Sequence, residues 1–328
     1  MEPIDIVVTW VDGNDPEWQR KKAEYTGVQV KEGNTDARYR DWGTLKYWFR
    51  GIEKYAPWVR YVHFVTDNQK PDWLNLNHPK LKWVKHTDYI PEQYLPTFNS
   101  HVIEWNLHRI EGLSEHFIYF NDDVFMIKDT QPSDFFIDGA PCVLPVISPL
   151  YPDSFVAQLV FNNVYMLNRN FSFKNCVRKN PQKWLKNQSV LNIVKLVLFG
   201  RHDSFPGLGN AHIHQCFKKS TMQILWDCEY DLLNATCLNK VRGKEDLTPW
   251  CITDWQILSG DFTPKKLLGR RVDSQTEGPG GAVDYLLKRK GKIVCINDNE
   301  NELDYVRHMQ LLIDAFEKVL PEKSAFEL

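Results

Sequence analysis

Ile4-Asp5-Ile6-Val7-Val8-Thr9-Trp10-Val11-Asp12-Gly13-Asn14-Asp15-Pro16 carries three local signals in thirteen residues. Ile4–Thr9 is a short run rich in β-branched residues, which predicts a buried strand. Asp12-Gly13-Asn14-Asp15 is turn chemistry, and Pro16 suits the first turn of a helix. The same grammar recurs downstream. Leu45–Tyr55 predicts a helix with Leu45, Trp48, Phe49 and Ile52 on one stripe. Val59–Thr66 and Leu81–Val84 predict strands, and Ser100–Ile110 a helix with Ser100 as N-cap. Phe117–Phe120 predicts a fourth strand, ending in Asn121-Asp122-Asp123. Strands alternating with helices predict an α/β fold with a doubly wound, mostly parallel sheet. Such sheets bind ligands at the carboxyl ends of their strands, and two of those ends here are acidic.

Composition narrows the function classes. Of 328 residues, 43% are hydrophobic and 25% charged, as in ordinary globular proteins. Forty basic residues against 42 acidic ones leave a net charge of -2, which argues against nucleic acid as a partner. No apolar run approaches membrane-spanning length, and the first residues carry no secretory signal pattern. The seven cysteines are odd in number, widely spaced and without a CxxC, so reduced thiols in a cytoplasmic protein are expected.

The remainder of the chain divides less sharply. Residues 26–40 read as a surface loop, Trp184–Phe199 as one apolar helix, and 268–282 as a glycine-rich loop. Ile293–Ile296 predicts a strand ending in Asn297-Asp298-Asn299, and Glu302–Leu320 a final amphipathic helix.

Five constellations could carry chemistry, one of them being Asn297-Asp298-Asn299, which follows an apolar strand and also suits a plain turn. Asp122 and Asp123, adjacent after a strand, can hold Mg²⁺ or Mn²⁺, which prefer oxygen ligands; they also suit a plain turn. The Thr9–Pro16 turn offers backbone N–H groups to a phosphate, yet it is neither a Walker A loop nor a GxGxxG motif. His101, Glu104 and His108 share a helix face, readable as a zinc site or as side-chain pairing on a solvated surface. His212 and His214 offer a general base and Arg242 a phosphate fork, although lone histidines are commonly structural. From residues alone the reading stops at a metal-dependent α/β enzyme acting on a phosphorylated or nucleotide substrate.

Taken together, the blocks Ile4–Pro16, Arg40–Phe125, Ala211–Asp246 and Cys295–Asn299 resemble the Stealth proteins, sugar-1-phosphate transferases of bacterial capsule biosynthesis. These are similar to the catalytic core of the animal GlcNAc-1-phosphotransferase that tags lysosomal enzymes. The resemblance implies one catalytic domain over residues 1–328, nucleotide-sugar-transferase-like, with a helical insertion in its C-terminal half. Residues 1–130 would bind the nucleotide sugar, and 131–328, mixed and helical, would close the site on the acceptor side. It implies transfer of a hexose 1-phosphate, such as an N-acetylhexosamine 1-phosphate, from a UDP-sugar to a polysaccharide or oligosaccharide hydroxyl, releasing UMP. Asp123, His212 and Arg242 would be catalytic, with either Asp123 or His212 as general base. Asp122, Asp123, Asn297 and Asp298 would hold Mg²⁺ or Mn²⁺. Thr9, Trp10, Val11, Asp12 and Asn99 would line the nucleotide pocket. The alternative with the same substrate is a metal-dependent glycosyltransferase that releases UDP; a lectin or a phosphohydrolase stands further off. Peripheral contact with the capsule assembly machinery at the inner membrane face is compatible, though no amphipathic basic helix announces it.

Overall fold

The computed structural model describes residues 2–26, 39, 41–151, 153–297 and 302–328. Much of the expected 26–40 loop therefore lies outside the described residues. Among the described residues, eleven strands run β1 Ile4–Thr9, β2 Val62–Thr66, β3 Leu81–Lys85, β4 His116–Asn121, β5 Val124–Met126, β6 Phe136–Ile137, β7 Ala140–Val143, β8 Gln215–Lys218, β9 Thr263–Pro264, β10 Gly269–Asp273 and β11 Ile293–Asn297. Thirteen α-helices accompany them among the described residues. The first four are α1 Pro16–Thr26, α2 Leu45–Tyr55, α3 His86–Tyr89 and α4 Ser100–Trp105. A helical stretch follows, with α5 Phe155–Asn170, α6 Phe173–Lys179, α7 Pro181–Leu185 and α8 Val190–Phe199. The last five are α9 Lys219–Cys228, α10 Tyr230–Leu238, α11 Trp250–Ser259, α12 Ser274–Leu287 and α13 Glu302–Val319.

The main sheet has the order β3-β2-β1-β4-β8. Its first four strands are parallel and β8 is antiparallel to β4. The expected α/β class and mostly parallel sheet are what the chain adopts. Because β8 comes from residues 215–218 and β11 pairs with β5, the two halves divided at residue 130 interleave.

Two-residue periodicity explains how the sheet is buried. Ile4, Ile6 and Val8 of β1 pack into one apolar cluster with Ile118 and Phe120 of β4. The alternate residues Val7, Phe117 and Tyr119 pack into a second cluster on the other face. Helix α2 covers the first face, and Gly51 lets it approach β5, since a Cβ there would stand 2.6 Å from the Met126 carbonyl oxygen. Arg50 of the same helix donates to both carboxylate oxygens of Glu327, at 2.8 and 2.9 Å, and so ties in the C-terminus.

Four expectations change. The N-cap of α4 is Asn99, whose side chain accepts from the His101 N–H; Ser100 is already helical. That helix ends at Trp105 and gives way to a 3₁₀ turn at Leu107–Arg109, where the Asn106 side chain bonds the Val102 carbonyl. The run Trp184–Phe199 divides into α7 and α8 at Asn187, whose φ is 63°. The glycine-rich 268–282 stretch is strand β10 and then α12, which kinks at Gly278. All seven cysteines are free, as expected.

At the end of β1 that lies away from Thr9, Asp5 is fully buried. It accepts two bonds from Arg60, at 2.8 and 2.6 Å, one from the Ser114 N–H at 2.8 Å, and pairs with His63 at 3.1 Å. Burial opposes its ionisation, but Arg60, His63 and Ser114 outweigh that and hold its pKa at about 2. A depressed carboxylate contributes stability above its unfolded pKa and loses it as pH falls toward the folded value. Asp5→Asn should therefore lower stability by roughly 1–2 kcal/mol at pH 7, allowing for screening through the part-exposed Arg60. The difference should shrink between about pH 4 and pH 2. Urea melts of both proteins across that range check it.

Candidate active site

A cleft of about 500 Å³ opens at the carboxyl ends of the parallel strands. Strand register builds its floor. Thr9, the last residue of β1, lies opposite Asn121, the last of β4. Asp122 and Asp123 are the two-residue link between β4 and β5, so the chain turns from the first sheet into the second at the acidic pair. Tyr119 knits this edge together, with its hydroxyl 3.0 Å from Thr9 Oγ1 and donating to Asn121 Oδ1 at 2.8 Å.

β11 brings Cys295 to the acidic pair. Cys295 is opposite Val124 in register, and the Ile296 N–H donates to the Asp123 carbonyl at 2.9 Å. The Cys295 thiol donates to Asp123 Oδ2 at 3.4 Å. Burial and the Asp123 charge push that thiol well above its ordinary pKa, so it is a protonated donor. Asp123 Oδ1 is buried with no hydrogen-bond partner among the described residues. Burial raises the pKa of Asp123, with the charge of His212 working the other way. Asp122 is raised further, by burial first, then by Asp123 and Asp41. Asp41, which accepts from the Gly43 N–H at 2.9 Å, is itself raised by burial and by Asp12.

Asp122 feels the charge of both Asp123 and Asp41, and an adjacent pair of carboxyl groups held against this repulsion offers oxygen ligands of the kind a hard divalent cation prefers. The unpartnered Asp123 oxygen fits that reading. Asp123, His212 and Cys295 place potential ligand atoms within 4.8 Å of one another. The protonated thiol makes Asp122 and Asp123 the better ligands for Mg²⁺ or Mn²⁺ within this group.

His212 reaches the cleft from a strained turn. Its φ is 49°, in the left-handed region, and its N–H donates to Asn210 Oδ1 at 2.7 Å. Its ring meets Trp250 edge to face, with centroids 5.5 Å apart. Arg242 enters from the opposite wall and donates to Ser100 Oγ at 2.7 Å. Buried Asp246 holds the Arg242 loop in place. It accepts from Asn99 at 2.8 Å, from Asn239 at 2.7 Å and from the Gly243 N–H at 3.0 Å, and lies 3.3 Å from His101 Nδ1. Burial opposes the Asp246 charge, but the bonds from His101, Gly243 and Asn239 lower its pKa.

Most sequence-predicted residues meet in this cleft. Thr9, Trp10, Val11, Asp122, Asp123, His212, Arg242 and Asn297 all line it. Asn297 also donates to Asp273 at 3.5 Å. Two predicted pocket residues do not line it. Asn99 is fully buried and caps α4 while bonding Asp246, so it positions the wall. Asp12 caps its own turn by accepting from the Asn14 N–H, and its backbone pairs with Gln69. Asp298 lies outside the described residues.

Other lining residues were not legible as such. Asp41 and Arg271 line the cleft from segments read as a loop edge and a glycine-rich loop; the Asp41-Trp42-Gly43 turn pattern was the available signal for the first. Glu104 corrects the solvated-face expectation, as do His101 and His108, because all three are buried. Glu104 faces the cleft with its pKa raised to about 7 by burial, against the opposing pull of Arg242, Ser100 and Tyr119. His101 is engaged by Asp246 and His108 packs near Trp226, so the three do not converge on a metal. His214 packs half-buried between Phe120 and Phe135, and burial lowers its pKa to about 3.

The chain is similar to known proteins along its whole length. A family model described as Stealth protein CR1, conserved region 1, matches residues 2–27, and one described as Stealth protein CR2, conserved region 2, matches residues 38–142. The chain is 40% identical over 330 residues to the capsular polysaccharide phosphotransferase WcwK of Streptococcus pneumoniae, covering 100% of this chain and 98% of the relative. It is 40% identical over 339 residues to the receptor polysaccharide phosphotransferase WefC of Streptococcus oralis, covering 100% of each. It is 36% identical over 328 residues to the exopolysaccharide phosphotransferase cps2G of Lactiplantibacillus plantarum, covering 99% of this chain and 96% of the relative.

The acidic cluster has a stability consequence. A carboxyl whose folded pKa is raised costs nothing below its unfolded pKa, and its cost grows as pH rises above it. In EDTA, Asp122→Asn should melt at the wild-type temperature near pH 4 and higher than wild type at pH 7.5. The gain should be roughly 1.5 °C for each kcal/mol of relieved repulsion. Added Mg²⁺ or Mn²⁺ should raise the melting temperature of the wild type and not of the variant. Equal melting of both proteins at pH 7.5 would contradict the assigned repulsion.

Proposed function

The chain belongs to the Stealth family, and on that premise we propose that it transfers a hexose 1-phosphate from a UDP-sugar to a glycan hydroxyl during cell-surface polysaccharide synthesis. One observation carries the reading: Asp122, Asp123, His212 and Arg242, drawn from three distant parts of the chain, line a single cleft. In the proposed reaction the acceptor oxygen attacks the β-phosphorus of the donor. The new bond joins that oxygen to phosphorus, and the bond from phosphorus to the bridging oxygen of the diphosphate breaks. UMP departs with the bridging oxygen and its electron pair. The sugar C1–O bond is untouched, so anomeric configuration is retained.

Phosphoryl transfer depends mainly on positioning and on charge stabilisation. Arg242 would bind non-bridging phosphate oxygens with its planar fork, steadied by the Ser100 hydroxyl. Glu104 next to it, close to neutral in pKa, leaves the guanidinium charge available to the substrate. His212 would take the proton of the acceptor hydroxyl, and Asp123 would stabilise the imidazolium so formed. Thr9, Trp10 and Val11 would form the nucleotide wall. Asp122 and Asp123 are the residues that would hold Mg²⁺ or Mn²⁺, which when bound supplies neutralisation of the diphosphate charge.

The test is the nucleotide released. Purified protein with Mg²⁺ or Mn²⁺, a panel of UDP-hexoses and short oligosaccharides should liberate UMP and yield a phosphodiester. Release of UDP would instead indicate ordinary glycosyl transfer at the anomeric carbon. With an active pair identified, Asp123→Ala and His212→Ala should each lower kcat by about 100-fold or more while circular dichroism stays unchanged. Arg242→Lys should also be costly, because an ammonium cannot form the two parallel bonds of a guanidinium. Near wild-type turnover in any of these variants would remove that residue from its role.

A further inference from the structure

The helix α8, Val190–Phe199, buries Asn192 and Leu196 against the protein and holds a second, aliphatic face toward solvent. Val190, Leu191, Val194, Val197 and Leu198 fall at helical spacing on one face, and each is between 49 and 79% exposed. The polar residues point inward. Asn192 is buried, accepting from the Ile147 N–H at 2.8 Å and donating to the Pro145 carbonyl at 3.0 Å. Lys195 donates to the Ile147 carbonyl at 3.1 Å, and Gln188, just before the helix, to the Pro145 carbonyl at 2.9 Å. These bonds to the 145–147 backbone set the rotation of the helix, so its aliphatic face is held toward solvent.

The helical stretch that carries α8 is rich in basic residues between Asp153 and Asp203. From Ser154 to His202 the sequence has eight basic residues, Arg169 through Arg201, and no Asp or Glu, in a chain whose net charge is -2. Arg178, Lys179, Lys186 and Arg201 are exposed. We propose that α8 and this basic helical stretch dock the protein on the surface of a membrane leaflet rich in anionic lipid.

Three arguments select that occupant. Aliphatic side chains suit acyl chains, and the excess of exposed basic residues in this stretch suits anionic headgroups. A second copy of this chain would oppose the same positive field across the contact, so self-association on this face is disfavoured by charge. At ten residues α8 is about 15 Å long, half the hydrocarbon thickness, so it lies in the interface and does not span it. Accordingly, no helix among the described residues is long and apolar enough to cross a membrane. The inference is independent of the proposed reaction, because docking needs neither donor nor acceptor.

Vesicle flotation tests it. The full chain should float with vesicles of phosphatidylcholine mixed with phosphatidylglycerol, and much less with phosphatidylcholine alone or at high salt. V194D/L198D should abolish flotation with its melting temperature and circular dichroism unchanged. R178Q/K186Q should weaken partitioning by about five-fold per charge removed. Failure of the wild type to float with either composition would overturn the proposal, as would flotation of V194D/L198D at the wild-type level. A dimer seen by sedimentation and broken by V194D/L198D would show that a second copy covers the face, which also overturns it.

Discussion

A single buried carboxylate, Asp246, joins the two walls of the cleft. The start of α4, the residue closing α10 and the turn at Gly243 all donate to it. Its own carbonyl accepts from Asn162 of α5 at 3.2 Å, so the helical stretch is tied to the same point. An ion with no exposed surface is tolerated because every direction around it holds a donor. Arg242 lies between these anchors, and its approach to Ser100 follows from them. Asp246 shares this tie between the α4 wall and the Arg242 loop with the Phe98 N–H, which donates to the Lys240 carbonyl at 2.8 Å, and the Trp105 indole, which donates to the Leu247 carbonyl at 2.9 Å.

The two ends of β1 show opposite uses of a buried carboxyl. At the end away from the cleft, Asp5 is surrounded by donors and is held ionised at about 2. At the cleft, Asp41, Asp122 and Asp123 are brought together and all three are raised. The first arrangement stabilises the sheet. The second destabilises the protein unless positive charge enters, which is the usual condition of a site poised for a cationic or phosphorylated ligand. The strained backbone of His212 belongs with the second kind, since a histidine with positive φ persists only where its surroundings impose it.

Legibility in the sequence followed the range of the interactions concerned. The strands and α2 were readable because two-residue and 3.6-residue periodicities are local. Asp122 and Asp123 were readable because they end a strand with that pattern. Errors arose where a side chain answered to distant partners. The buried state of His101, Glu104 and His108 comes from packing against α9, α10 and the Asp246 loop. The division of Trp184–Phe199 comes from a positive φ at Asn187, whose side chain bonds the Pro264 carbonyl. The exposed aliphatic face of α8 is set by the Asn192 and Lys195 bonds to residues 145–147, which no periodicity reveals.

By itself, the sequence determined the α/β class, the order of the first four strands along the chain and the acidic pair at the end of the fourth. Apolar residues spaced for one secondary structure can be buried in few other ways. Only the tertiary structure decided that Cys295 and His212 meet Asp123, that Arg242 lines the same cleft, and that Asn99 and Asp12 support the walls and do not line them. It also decided that β8 and β11 close the sheets from the far end of the chain. Those outcomes depend on register between segments more than 90 residues apart, fixed by cross-strand pairing and by one buried carboxylate.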